Sequence, residues 1–145
     1  MSQASLAYVG QEAALLLALI HVRSFAEPWS EDSFSTLLGS PGVKGLVAGE
    51  GAGFILWRTV VDEAEILTLV VDPNFRHQGL GTLLVNNALE SAKALGVVRF
   101  FLEVEEGNQA AMTLYGNCGF IRIGNRLDYY GPGRSAILME RKLFL

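Results

Sequence analysis

The sequence predicts a single α/β domain of mixed topology, with one central sheet of six to seven strands flanked by about four helices. Three observations carry that reading. Segments of helical and strand character follow one another in the order ααβββαβαββ, with an undecided short strand ahead of them at residues 6–9, which fits helices covering a mixed sheet. A long helical stretch lies between two apolar strands, and such a connection makes a crossover between parallel strands. The chain has 145 residues, half of them hydrophobic, enough for one substantial core and too few for two domains.

Within residues 12–23, Leu15, Leu16, Leu19 and Ile20 recur at near-helical spacing and predict a first amphipathic helix, ended before Pro28. Ser30 followed by Glu31 and Asp32 supplies a capping hydroxyl and first-turn acids for a second helix running to about Gly39. Residues 43–48 and 53–59 are apolar and β-branched, and Gly49-Glu50-Gly51-Ala52 between them gives a hairpin pattern. Glycines 49, 51 and 53 would also suit a phosphate loop, but no helix signal follows them. Asp62 and Glu63 form the next turn, and residues 65–71 are the third strand of a meander. The long helix spans 79–95, with Leu80, Leu83, Leu84 and Leu95 among its apolar positions, and Gly96 closes it. A strand at 97–104 follows. Asn108 opens a further helix that Gly119 ends, and 120–128 and 136–142 are two last strands around Gly131-Pro132-Gly133.

Composition excludes several function classes. A net charge of −4 does not suit a direct nucleic-acid binder, which needs a basic face, although an acidic enzyme can attract a basic protein substrate. Cys118 is the only cysteine, so there is no intrachain disulfide and no CxxC cluster, and His21 and His77 are isolated from a second ligand at metal spacing. No metal is expected. The apolar run at 13–20 is far shorter than the roughly 20 residues that span a bilayer, and no basic region precedes it. A cytoplasmic protein, monomeric or weakly dimeric and without membrane contact, is expected.

The stretch from Leu67 to Thr82, LTLVVDPNFRHQGLGT, carries the most chemistry. An apolar strand runs through Asp72-Pro73 into a basic, glycine-bearing turn from which the long helix starts. Arg76 brings charge, and Gly79 and Gly81 let the backbone come close. His77, Gln78, Leu80 and Thr82 contribute mainly N–H groups, so the turn suits a phosphate or pyrophosphate at a helix start. A strand-to-helix turn that simply needs glycine would explain the same residues. The dinucleotide fingerprint G-x-G-x-x-G is absent, because Leu84 stands where its last glycine would be.

This segment resembles the acetyl-CoA-binding segment of the GNAT superfamily of N-acetyltransferases, whose Q/R-x-x-G-x-G/A signature it fits at every position. The pattern N-x-x-A-x-x-L-Y-x-x-x-G-F, formed by Asn108, Ala111, Leu114, Tyr115, Gly119 and Phe120, resembles the second signature of that superfamily. With Pro28-Trp29-Ser30, Leu102-Glu103-Val104 and the pair Tyr129-Tyr130, nearly the whole chain is most similar to the bacterial ribosomal-protein alanine N-acetyltransferases. The resemblance implies the GNAT fold, acetyl-CoA as cosubstrate without a metal, and the N-terminal alanine of a ribosomal protein as acceptor. It further implies that Leu69, Val70 and Val71 offer main-chain groups to the pantetheine arm, that one amide there polarises the thioester carbonyl, and that Asn108 contacts CoA. Glu103 is then the base, acting directly or through water, and the Tyr115 hydroxyl protonates the departing thiolate. Trp29 sits beside the acceptor groove, and Tyr129 and Tyr130 help close it.

Read on their own, these residues admit plainer roles. Glu103 is out of keeping with Phe100, Phe101 and Leu102, and burial beside aromatic rings would raise its pKa toward the range of a general base. Glu105 lies on the same strand face and is a rival base, and Glu103 could instead be an ion-pair partner. Asn108 and Tyr115 are seven residues apart, on nearly one helix face with Ala111 and Met112 close by; an N-cap and an aromatic core residue are the alternatives. Trp29 could be a hydrophobic staple for the second helix, and the two tyrosines could simply cap the sheet. Asp128 stands where the family has asparagine, Gly116 where it has a larger residue, and Arg134 is placed to assist in acceptor recognition. Cys118 is a small core residue.

The reaction itself weakly favours an α-amine. Aminolysis needs the neutral amine, and at pH 7 an α-amino group costs about 1.4 kcal/mol to deprotonate against more than about 4 for lysine. Acetylation of a small amine or a protein lysine on the same scaffold, or a non-catalytic acetyl-CoA-binding subunit, are the alternative readings.

Overall fold

A computed structural model describes residues 5–25, 27–76 and 79–144. Seven strands and four α-helices follow in the order β1 (Leu6–Val9), α1 (Ala14–Val22), α2 (Glu31–Leu38), β2 (Val43–Ala48), β3 (Gly53–Val60), β4 (Glu63–Val71), α3 (Leu80–Ala94), β5 (Arg99–Glu105), α4 (Gln109–Asn117), β6 (Ile121–Gly131) and β7 (Arg134–Lys142). The strands form one sheet in the order β1-β2-β3-β4-β5-β7-β6. Only β4 and β5, joined by the crossover helix α3, run parallel, and the other neighbours are antiparallel. The mixed sheet with flanking helices is thus the expected architecture, and the undecided strand is β1. Glu63, expected in a turn, is the first residue of β4.

Strand alternation divides the core into two layers. Ile55 and Trp57 of β3 and Phe100, Leu102 and Val104 of β5 pack with Leu84, Val85, Ala88 and Leu89 of α3 on one face. Phe54 and Leu56 point the other way, onto Leu17 and Ile20 of α1 and Phe34 of α2. Ser30 caps α2, its hydroxyl oxygen accepting from the Ser33 N–H at 3.1 Å, and Trp29 meets Phe34 with ring centroids 5.5 Å apart. Those two flank the cap at the positions of a hydrophobic staple.

Of the four apolar positions expected to pattern α1, only Ile20 lies on its buried face. Leu17 and Ile20 are fully buried, whereas Leu15, Leu16 and Leu19 are 38% to 53% exposed. The helix is apolar on nearly every side, so spacing alone could not choose its face. The inward face also carries His21, 2% exposed, stacked on Phe25 and Trp29 with centroids 4.2 and 5.2 Å away.

His21 Nδ1 accepts the Trp29 N–H at 3.0 Å, so the ring is neutral with its proton on Nε2. Burial pushes its pKa down. The unfolded chain, with histidine near 6.5, therefore binds more protons than the folded one below that pH. The stability from neutral His21 is complete above pH about 6.5 and is lost as pH falls toward the lowered folded value. Urea unfolding should show a drop in midpoint from pH 7 to pH 5 that is distinctly smaller in His21→Gln.

Candidate active site

A gap in the sheet creates the site. The parallel pairing of β4 and β5 runs from Glu63–Arg99 to Glu65–Phe101 and stops there, although β4 continues to Val71. On its other side the register with β3 jumps between Leu56–Thr68 and Trp57–Ile66, which leaves Leu67 as an extra residue. Such a bulge bends a strand and strengthens its twist, and here it falls where the two parallel strands part. Beyond it, main-chain groups of β4 facing β5 have no strand partner among the described residues.

A groove of about 620 Å³ opens at this edge, lined by Leu69, Val70 and Val71, by Arg76, Gly79 and Gly81 at the turn, and by Asn108, Ala111 and Leu114 of the α4 segment. The two glycines serve different ends. Gly79 is the N-cap of α3 in the left-handed region at φ +77°, a conformation that side chains disfavour. At Gly81 a Cβ would come within 2.5 Å of Leu114 Cδ1, so its bare backbone lets α3 and α4 approach. Gly79 offers no capping side chain, and among the described residues no side chain caps the first-turn N–H groups of the 15-residue helix, a start that suits an anion.

The turn is braced from α1. Asp72 is 3% exposed; one oxygen accepts the Asn74 N–H at 3.0 Å and the other meets Arg23 at 2.7 Å. Arg76, exposed, donates Nε to the Val71 carbonyl at 3.2 Å. His77 and Gln78 lie outside the described residues. At the end of the groove beside α1, the Ser24 hydroxyl is buried without a hydrogen-bond partner among the described residues. An unpartnered β-edge, an uncapped helix start and an orphaned buried hydroxyl in one groove fit an elongated ligand with a polar arm and an anionic group.

Asn108 combines both of its expected readings. It lines the groove and caps α4, its Oδ1 accepting the Ala111 N–H at 3.1 Å. Tyr115 is not among the groove-lining residues. It is 7% exposed, packed edge-on to Phe120 with centroids 5.8 Å apart, and burial, with a smaller contribution from Cys118, pushes its hydroxyl pKa well up. Asn108, with ψ 76°, caps the helix and is not itself helical, so it does not share the expected helix face with Tyr115. Gly116 faces open space. Cys118 is a buried core residue whose thiol pKa is pushed up by burial.

Glu103 is not the buried carboxylate that its aromatic neighbours suggested. Alternation along β5 sends Phe100, Leu102 and Val104 inward and leaves Phe101, Glu103 and Glu105 on the half-exposed face. Glu103 Oε1 lies 3.3 Å from Arg126 of β6, a partner that nothing in the local sequence announced. Glu105 is engaged more tightly, since Arg134 donates to both its oxygens at 2.9 and 3.1 Å. That hydrogen bonding holds the Glu105 pKa below the usual range. Tyr115 belongs to the α3 and α4 side of the sheet, whereas alternation along β5 sends Glu103 to the other.

Tyr129 and Tyr130 stand edge-to-face, with centroids 5.1 Å apart, and the Arg126 guanidinium lies 5.2 Å from the Tyr129 ring centre. Burial, then the charges of Glu103 and other neighbours, raise the Tyr130 pKa. Asp128 shapes this end of β6 from the left-handed region, at φ +53°, where Asp and Asn are the side chains best tolerated. Trp29 is absent from the groove lining and packs in the aromatic cluster around His21. Among the described residues no three His, Cys, Asp or Glu gather as metal ligands, and no helix is long and apolar enough to cross a membrane.

The Acetyltransferase (GNAT) family matches residues 16–120. The chain belongs to that family. Within the GNAT family it is 34% identical over 113 residues to the [ribosomal protein bS18]-alanine N-acetyltransferase of Escherichia coli, covering 77% of this chain and 76% of that protein. It is 36% identical over 123 residues to the N-alpha-acetyltransferase RimI of Mycobacterium tuberculosis, covering 79% and 76%. The crystal structure of the ribosomal-protein-S18-alanine N-acetyltransferase from Escherichia coli superposes with a TM-score of 0.90 at 28% identity, over 98% of this chain and 95% of that one. GNAT enzymes use acetyl-CoA, and this chain is a homologue of the bS18-alanine acetyltransferases.

Proposed function

We propose that this GNAT protein transfers acetyl from acetyl-CoA to the N-terminal alanine of ribosomal protein bS18. The observation that carries the reading is the unpaired β4 edge running into the uncapped start of α3, in a chain homologous to enzymes named for that substrate. Leu69, Val70 and Val71 would hold a pantetheine arm through their main chain. The amides that open α3, with Arg76 beside them, would hold the pyrophosphate, the segment 76–82 acting as one cradle. Asn108 keeps its amide NH2 for the same ligand while its oxygen caps α4. When bound, acetyl-CoA supplies an activated acyl carbon. Glu103 accepts the proton of the attacking amine, and Tyr115, held protonated by burial, donates one to the CoA sulfur. Tyr129 and Tyr130 flank the acceptor, and Trp29 supports the opposite wall from within the aromatic cluster.

Thiol release tests the assignment. A peptide carrying the alanine N-terminus of bS18 should turn over with a kcat/KM at least on the order of a hundredfold above small amines and above a peptide with a blocked N-terminus and free lysines. Preference for a small amine would make this a small-molecule acetyltransferase. Coenzyme binding with no turnover of any amine would make it a binding subunit.

A further inference from the structure

The end of the β6–β7 hairpin is built with more contacts than a reversal of chain requires. Its pairing is interrupted between Arg126 and Gly131, and the interrupted segment carries Tyr129 and Tyr130. Asp128 knots that segment to β7: its N–H donates to the buried Ser135 hydroxyl at 3.1 Å, and its Oδ1 accepts the Gly133 N–H at 2.8 Å. A single side chain then ties the hairpin end to the middle of the sheet. Arg134 donates through Nε and a terminal nitrogen to the two oxygens of Glu105, while its other terminal nitrogen reaches the Tyr130 carbonyl at 3.5 Å.

A two-point guanidinium–carboxylate contact fixes orientation as well as distance, which most exposed ion pairs do not. Glu105 is two residues from Glu103 on the same face of β5. Whatever Arg134 holds is therefore held in register with the proposed base. Arg134 thus links the end of β5 to the segment that carries Tyr130. The mechanism uses neither Glu105 nor Arg134.

We infer that Glu105 and Arg134 form a clamp that ties the Tyr130 segment to the end of β5 and thereby sets affinity for the acceptor chain. The inference rests on the acceptor reading given above. Arg134→Gln and Glu105→Gln should each raise the KM of the alanine-starting peptide about fivefold. They should leave kcat within about twofold and leave the calorimetric Kd for acetyl-CoA unchanged. The double variant should be no worse than either single one, about fivefold and not about twenty-five, because both remove the same contact. Arg134→Lys, which keeps the charge without the fork, should fall in between.

Unchanged peptide KM in the single variants, or multiplying effects in the double one, would overturn the clamp and leave the acceptor assignment standing. A parallel fall in kcat and melting temperature would reduce the pair to a structural brace. Loss of kcat in Glu105→Gln alone would make Glu105 the base. Wild-type protein that ignores the peptide overturns the acceptor assignment and the clamp with it.

Discussion

Tyr115→Phe is expected to lower kcat on the order of a hundredfold while the Kd for acetyl-CoA, measured by calorimetry, stays within about twofold. The two halves of that expectation come from different parts of the structure. Coenzyme affinity would come from the β4 edge, the 76–82 turn and the outward residues of α4, and Tyr115 is not among the groove-lining side chains. Its ring packs against Phe120 in the core, and phenylalanine keeps that packing, so fold and groove should survive. What the substitution removes is one proton donor. Burial keeps that donor protonated throughout the working range, since its pKa is driven upward and not toward neutrality. Wild-type kcat should accordingly show no loss that tracks ionisation of this tyrosine as pH rises from 7 to 9. Losses of kcat and coenzyme affinity of equal size would instead mean that Tyr115 only packs.

The parts of this site that sequence reasoning reached, and the parts it did not, divide on physical lines. Where local chemistry dictates structure, the expected elements are present. Ser30 caps α2, the glycines at 49 and 51 turn the β2–β3 hairpin with positive φ, and Gly79 opens α3. The architecture follows from the same signals in order. The groove does not, because its cause is a bulge at Leu67 and an early end to one parallel pairing. Leu67, Thr68 and Leu69 are ordinary strand residues, and nothing in their identity marks a break in a hydrogen-bond ladder. The charge partners were hidden for another reason. Glu103 and Arg126 are far apart along the chain and meet only because β7 and β6 follow β5 in the sheet. Strand alternation separates Glu103 from its buried neighbours Phe100, Leu102 and Val104, so an apolar local sequence does not bury its carboxylate. Asn108 lines the groove while Tyr115 is buried, because helical geometry begins only after Asn108.

Glu103→Gln should give the second large effect, and its pH dependence is what identifies the role. The loss in kcat/KM for the alanine-starting peptide is expected to be on the order of a hundredfold at pH 7, shrinking to about tenfold at pH 9. An α-amino group with pKa near 8 is about one-tenth neutral at pH 7 and about nine-tenths neutral at pH 9. A base that removes the amine's proton is therefore needed most where the amine is charged. Orientation and transition-state effects do not vary with that ionisation and set the residue of the loss. The competing explanation is that Glu103 matters only through Arg126, 3.3 Å away and next to Tyr129. It makes the opposite forecast: the deficit would be the same at both pH values, and Arg126→Gln would reproduce it. If Glu103 is the base, Arg126→Gln frees its carboxylate from a competing charge and should keep activity within a few-fold of wild type. The pair of variants, measured at two pH values with one peptide, separates proton transfer from charge pairing.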